Sequence, residues 1–255
     1  VDGFAGGDRT SLDLPAPQQE LLEKVVATGT PTVLVLINGS ALSVNWADEN
    51  VPAIIEAWYP GGQGGDAIAR AIAGDFSPAG RLAVTFYRSA DDLPPFDDYA
   101  MANRTYRYFG EEVLYPFGYG LSYTTFDYSR PQVSARRIRA GQPATVSVQV
   151  TNSGPMDGEE VVQVYVSRPG VNGAPIRSLA AFERITLARQ ESRTVTLALD
   201  PRTLSTVDAS GERRVEAGEV ELWIGGGQPE MRPGLTAASG VATSFTITGT
   251  QTLPR

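Results

Sequence analysis

The chain has no cysteine, no histidine and a single lysine, Lys24, among its 255 residues. Without cysteine there is no thiol nucleophile, no disulfide and no thiolate metal site. Without histidine a Ser-His-Asp triad is excluded, as is any imidazole metal ligand. The lack of cysteine fixes no compartment. Long apolar runs are missing too. The longest clean one, residues 33–37, has the length of a strand, far short of the ~20 residues of a membrane-spanning helix. Positive charge is scarce, with 21 Lys and Arg against 29 Asp and Glu and a net charge of −8 at pH 7. A duplex-binding protein needs a basic footprint, so nucleic acid is a poor partner for this chain. The side chains left for catalysis are carboxylates, Tyr, Ser and Arg. Any enzyme built on this sequence is a carboxylate enzyme.

What is present is enough for a packed core: 42% hydrophobic and 20% charged residues over a length that suits one large domain or two ordinary ones. Composition shifts near Tyr128-Ser129-Arg130-Pro131. Before it, helix and strand signals alternate. Asp13 and Pro15 predict a helix start, followed by Leu21, Leu22, Val25 and Val26 at helical spacing and Gly29 as a stop. The run Thr32-Val33-Leu34-Val35-Leu36-Ile37 reads as a strand covered on both faces, with Asn38-Gly39 ending it. Residues 41–46 read as a further short strand, and residues 52–58 as a brief helix running into a strand. Asp66 is expected to cap a helix over residues 67–73, with Gly74 as its stop. This alternation predicts part of an open α/β sheet over residues 1–90. Two or three strands are too few for a complete doubly wound domain, so a larger sheet is expected.

Residues 91–130 have no sustained period and form an aromatic-rich linker. Tyr99, Tyr106, Tyr108, Phe109, Tyr115, Phe117, Tyr119, Tyr123, Phe126 and Tyr128 must be buried against something. Packing on the chain's own two domains is the favoured reading, and an interface with a partner is the other. From 131 to 255 the pattern is all-β, with about seven strand candidates and polar breaks. Val146, Val148 and Val150 alternate with polar residues, as do Val162, Val164 and Val166, then Val195, Leu197 and Leu199, and finally Val220, Leu222 and Ile224. The predicted fold is therefore a partial α/β unit followed by an immunoglobulin-like β-sandwich.

Few motifs carry chemistry by themselves. The glycine-rich stretch Trp58-Tyr59-Pro60-Gly61-Gly62-Gln63-Gly64-Gly65-Asp66 lacks a Gly-Lys-Ser/Thr ending and places a carboxylate where a phosphate would sit. It reads as a tight turn before a closely packed helix. The doublets Asp48-Glu49, Asp91-Asp92, Asp97-Asp98, Glu111-Glu112 and Glu159-Glu160 invite a glycosidase reading. Neighbours on a strand point to opposite faces, however, so each doublet reads as solvated surface or a cap. A self-sufficient hydrolase would have to use Glu111 or Glu112 with an unrelated partner carboxylate. Arg104 and Arg107, interleaved with Tyr106 and Tyr108, read as arginines locking the loop to carboxylates such as Asp97 or Asp98 across an interface. Asp98, Tyr99, Arg104, Tyr106, Arg107 and Tyr108 are the candidate interface residues. Trp223, opposite the inward Val220, Leu222 and Ile224, could serve a carbohydrate-binding or adhesion module as a platform; packing under a loop is the commoner fate.

Several blocks resemble glycoside hydrolase family 3. These are Gly6-Gly7-Asp8-Arg9 with Leu12, Leu14-Pro15 and Gln18-Gln19; Val33-Leu34-Val35-Leu36-Ile37-Asn38-Gly39; Ala57-Trp58-Tyr59-Pro60-Gly61; and Gly74-Asp75-Phe76-Ser77-Pro78-Ala79-Gly80-Arg81-Leu82. Arg104-Thr105-Tyr106-Arg107-Tyr108-Phe109 and Tyr115-Pro116-Phe117-Gly118-Tyr119-Gly120-Leu121-Ser122-Tyr123 continue in the family's order, and the remainder resembles its fibronectin type III-like domain. The resemblance implies a retaining exo-acting β-glycosidase built as a barrel, an α/β sandwich domain and a β-sandwich, without cofactor or metal. It implies that this chain is the end of the second domain plus the third. The nucleophilic Asp would then lie on the barrel, and the acid/base Glu upstream of Val1. Seven residues precede Asp8 and none is Glu, so no catalytic residue is assigned to this chain. The implied partners are the barrel, on the same or a separate chain, and an oligosaccharide or aryl glycoside substrate. Asn38-Gly39-Ser40-Ala41-Leu42 and Leu93-Pro94-Pro95-Phe96-Asp97-Asp98-Tyr99 resemble bacterial β-xylosidases and β-glucosidases, with xylosidase favoured. A periplasmic or secreted location is favoured over the cytoplasm.

Overall fold

The computed structural model describes residues 11–95, 97–208, 210–229 and 232–254. The block at residues 6–9 and Phe96, both part of the resemblance, lie outside them.

The first unit is built from α1 (Ala16–Val26), β1 (Val33–Leu36), α2 (Asn45–Asn50), β2 (Ala53–Glu56) and α3 (Gly64–Ala73). β1 and β2 pair in parallel, Val33 beside Ala53 through Leu36 beside Glu56, with α2 as the crossover. Among the described residues neither strand has a second neighbour. The run at residues 33–37, expected to be covered on both faces, is only partly covered: Leu36 is buried while Val33 and Ile37 are exposed. Leu36 packs with Leu22, Leu42, Val44, Ala47, Val51, Phe86 and Leu114 in one small core. On α1 only Leu22 is buried; Leu21 and Val25 are exposed.

Four local expectations need correction. Residues 41–46 form no strand; they run irregularly into α2. Residues 52–58 contain no helix. Pro52 holds Val51 extended (φ −107°, ψ 124°), and Ile54 and Ile55, β-branched, continue into the ladder with β1. Asp13 does not cap α1: the helix starts after Pro15, and the Asp13 carboxylate accepts from the Ser11 hydroxyl instead. Asp66 lies inside the first turn of α3, which begins at Gly64, so it favours the positive helix end without capping it. Gly74 ends α3 in the left-handed conformation (φ 79°), as expected.

The second unit is a two-sheet sandwich. Its strands are β3 (Phe126–Val133), β4 (Arg137–Arg139), β5 (Ala144–Asn152), β6 (Gly158–Ser167), β7 (Ser178–Leu187), β8 (Ser192–Leu199), β9 (Thr206–Val207), β10 (Arg213–Val215), β11 (Gly218–Gly225), β12 (Gly240–Thr248) and β13 (Gln251–Leu253). One sheet has the order β4-β12-β11-β6-β7, the facing sheet β3-β5-β8, and β13-β10-β9 forms a small third sheet. Every residue of the four predicted alternating sets is buried in the core between the sheets. Period two put them there, since one face of each strand is apolar and the other polar. The sandwich starts at Phe126, five residues ahead of the sequence boundary, because β3 continues through Pro131 by means of a register shift between Ser129 and Gln132. None of the described helices is long and apolar enough to cross a membrane.

Candidate functional site

The chemistry of the molecule concentrates where the two units meet. Arg81, after the turn that follows α3, reaches the sandwich. Its Nη2 is 2.9 Å from Glu160 Oε2 on β6, and its Nε donates to the Gly226 carbonyl at 3.1 Å. Tyr128 Oη on β3 donates to the other Glu160 oxygen at 3.1 Å. Both partners are out of solvent, Arg81 at 8% and Glu160 at 2% side-chain exposure. Burial raises the Glu160 carboxyl above the ordinary range while the guanidinium opposes it. Burial also holds the Tyr128 phenol well above its usual value, with the nearby carboxylate adding to the effect.

A second connection runs the other way. Arg232, between β11 and β12, pairs with Asp48 on α2 and donates to the Leu114 carbonyl at 2.9 Å. Tyr115 Oη donates to the same Asp48 carboxylate at 2.7 Å, and Tyr119 stacks parallel to Tyr115 with ring centroids 5.9 Å apart. Burial first, then the Asp48 contact, raises the Tyr115 phenol. Asp48 and Glu160 thus depart from the surface reading of their doublets. For Glu160 the signal was in the sequence: it sits two residues before Val162, in register with the inward set on β6. Glu159 points outward and pairs with Arg184.

The aromatic segment packs largely on its own chain, which includes a short helix, α4 (Thr105–Tyr108). Phe86 bridges Tyr115, and Leu114 is fully buried beside it. Among the candidate interface residues, Tyr106 joins the two units. It stacks on Phe117 (4.2 Å, 11°), lies edge-on to Tyr165 of β6, and its oxygen accepts from the Leu179 N–H of β7. Arg107 contributes through its backbone carbonyl, which accepts from Ile176 N–H, and its guanidinium lies 5.8 Å from the Tyr108 ring. Arg104 does not seek a carboxylate. Its guanidinium donates to the Pro95, Asp98 and Ala100 carbonyls and closes the loop on itself. Backbone acceptors lie within reach of the loop's own turn, so no ion pair with Asp97 or Asp98 forms. The Asp98 carboxylate accepts from Ala100 N–H, and Tyr99 is 89% exposed, touching neither unit's core.

A polar cleft of about 280 Å³ opens at this seam, between Thr85, the stretch after α4 and the sandwich loops at Arg177 and Gln228. Among the described residues Glu111 and Glu112 are the only carboxylates that line it, and Glu112 is engaged by Arg88 at 2.7 Å. The pair that a self-sufficient hydrolase on Glu111 or Glu112 requires is therefore not assembled there among the described residues. Trp223 does not form an open platform: its ring lies against Gly240 and its Nε1 donates to the Gly227 carbonyl at 2.9 Å. At the carboxyl ends of the parallel strands, burial raises the Glu56 carboxyl, and Glu56 Oε2 and Asn38 Oδ1 are both buried without a hydrogen-bond partner. A Cβ on Gly64 would come within 2.5 Å of Pro60, so glycine is what lets α3 start so close to the turn.

Residues 2–123 match the glycosyl hydrolase family 3 C-terminal domain, and residues 160–228 match a fibronectin type III-like domain. A xylan 1,4-β-xylosidase of Xylanibacter ruminicola is 40% identical over 226 residues, covering 88% of this chain and 26% of that protein. A periplasmic β-glucosidase of Salmonella typhimurium is 36% identical over 85% of this chain and 30% of its own length. The solved structure of a β-glucosidase from Erythrobacter marinus superposes with a TM-score of 0.81 at 37% identity, over 96% of this chain and 32% of that one. The chain thus spans about a quarter to a third of the length of the relatives it matches.

Proposed function

Because the chain belongs to glycoside hydrolase family 3, carrying that family's C-terminal domain and a fibronectin type III-like domain, we propose that it is the C-terminal portion of a retaining β-glycosidase. The enzyme removes single sugars from non-reducing ends; its nucleophilic Asp lies on an N-terminal barrel and its acid/base Glu upstream of Val1, both outside these residues. The observation that carries this reading is the two-stranded parallel sheet. Its strands lack outer neighbours among the described residues, and it keeps Val33 and Ile37 exposed, as a sheet continued by further chain would. In this reading the Arg81–Glu160 and Arg232–Asp48 connections make the two units a single brace for the barrel.

β-Xylosidase is favoured over β-glucosidase on the resemblance of residues 38–42 and 93–99; relatives of both descriptions match the chain. A periplasmic or secreted location is supported by the likeness to the Salmonella periplasmic β-glucosidase. Two preparations test the reading: the 255 residues alone, and the same residues preceded by their upstream coding region. The longer protein is expected to hydrolyse aryl β-xylosides with a higher kcat/KM than aryl β-glucosides, and the shorter to hydrolyse neither. Robust turnover by the shorter chain would overturn the proposal.

A further inference from the structure

We propose that the cleft at the seam binds one neutral pyranose unit. The choice of sugar rests on the glycosidase reading; the site itself rests on the geometry of the cleft.

At about 280 Å³ the cleft falls at the small end of ligand pockets, room for one sugar ring and not for an oligosaccharide. It lies at a boundary between units, where such sites preferentially form. One wall is rigid: Gln228, 2% exposed, accepts from Arg177 Nη1 at 2.9 Å and donates to the Phe117 carbonyl at 2.7 Å. Of the charged residues that line it, Glu112 is paired with Arg88 and Arg232 with Asp48. Two groups are left over. Thr85 is 7% exposed and its hydroxyl has no hydrogen-bond partner, although buried hydroxyls are normally paired. Glu111, which also lines the cleft, makes no hydrogen bond or ion pair among the described residues.

A free carboxylate accepts two hydroxyl donors at once, and a threonine hydroxyl can both give and take one hydrogen bond. Phe109 and Tyr106 line the same space and offer aromatic surface. Carboxylate, hydroxyl and aromatic carbon together match a ligand with vicinal hydroxyls and an apolar C–H face. A phosphate or sulfate would meet Glu111 as a like charge.

The test uses the full-length enzyme with a single trifluoromethyl-phenylalanine at position 109, read by fluorine NMR while D-xylose or D-glucose is titrated in. The resonance is expected to shift saturably, and Glu111→Ala or Thr85→Val to weaken binding about tenfold or more. Hydrogen–deuterium exchange over residues 106–116 of the unlabelled enzyme gives the same reading without the probe, with slower exchange expected on adding sugar. No response in either measurement, an equal response in both variants, or a response to inorganic phosphate in place of sugar would overturn the site. Aryl glycoside turnover by the same preparation keeps the two readings apart. An active enzyme with a silent cleft removes only the site, and an inactive enzyme with a responsive cleft removes only the glycosidase reading.

Discussion

Replacing Arg81 by alanine leaves the Glu160 carboxylate at 2% exposure with Tyr128 as its remaining side-chain partner. Breaking a buried pair from one side costs about 3–5 kcal/mol, because the surviving charge stays desolvated and uncompensated. For units of this size that corresponds to a fall in Tm of roughly 6–20 °C. The loss depends on pH, and the sign follows from the direction of the shift. The Glu160 pKa is already raised by burial, with Arg81 the main opposing influence, so removing Arg81 raises it further. Between the unfolded and folded pKa values the folded state holds the extra proton, so the variant gains stability as pH falls through that window. The deficit against wild type is therefore largest at neutral pH and shrinks as the solution is made acidic. Thermal unfolding of Arg81→Ala, Glu160→Gln and the double variant Arg81→Met/Glu160→Gln, followed by circular dichroism at several pH values, reads this directly. The double variant is expected to recover most of the loss. A deficit under about 1 kcal/mol for Arg81→Ala, or one that widens in acid, would show that the buried pair does not hold the seam.

Leu222→Ala, at 2% exposure between the sheets, should destabilise the sandwich by about 2–5 kcal/mol in urea titration, with the m-value unchanged. Gly120→Ala places a Cβ 2.4 Å from the Gly80 backbone oxygen, and its expected loss of about 1–3 kcal/mol should appear in the same titration; a neutral result would mean that this close approach is absent. Trp223→Ala should leave mobility in xylan affinity gels unchanged while lowering Tm, because the ring is packed on Gly240 and its N–H is engaged. Alkaline titration by ultraviolet difference absorbance should find Tyr115, Tyr128 and Tyr165 silent until the protein unfolds, since burial raises all three phenols.

The sandwich was legible because its strands obey one rule, alternation, over enough residues that the inward face could be read without knowing the partners. The α/β unit was less so. Its helix α2 spans only Asn45–Asn50, too short to show a period, and the strand after it, Ala53–Glu56, is too short and too uniformly half-buried to show an alternation. The seam was the least legible part. Asp48 and Arg232 are separated by 184 positions, and nothing local to either announces the other. Glu160 could have been found by extending the Val162–Val166 alternation backwards by one step. Arg81 could have been recognised as its counter-charge only after that step. Arg104 shows the opposite failure: proximity to Asp97 and Asp98 in sequence looked like an ion pair, yet its Nε and Nη2 donate to backbone carbonyls in the same turn.

In the proposed reading these residues brace a reaction whose covalent step happens on another part of the enzyme. Trapping that step tests it most directly. The full-length protein is inactivated with a 2-deoxy-2-fluoro-β-xyloside bearing a good leaving group, digested, and the glycosylated peptide located by mass spectrometry. The label is expected on an aspartate N-terminal to these 255 residues. A label on any carboxylate within them would contradict it.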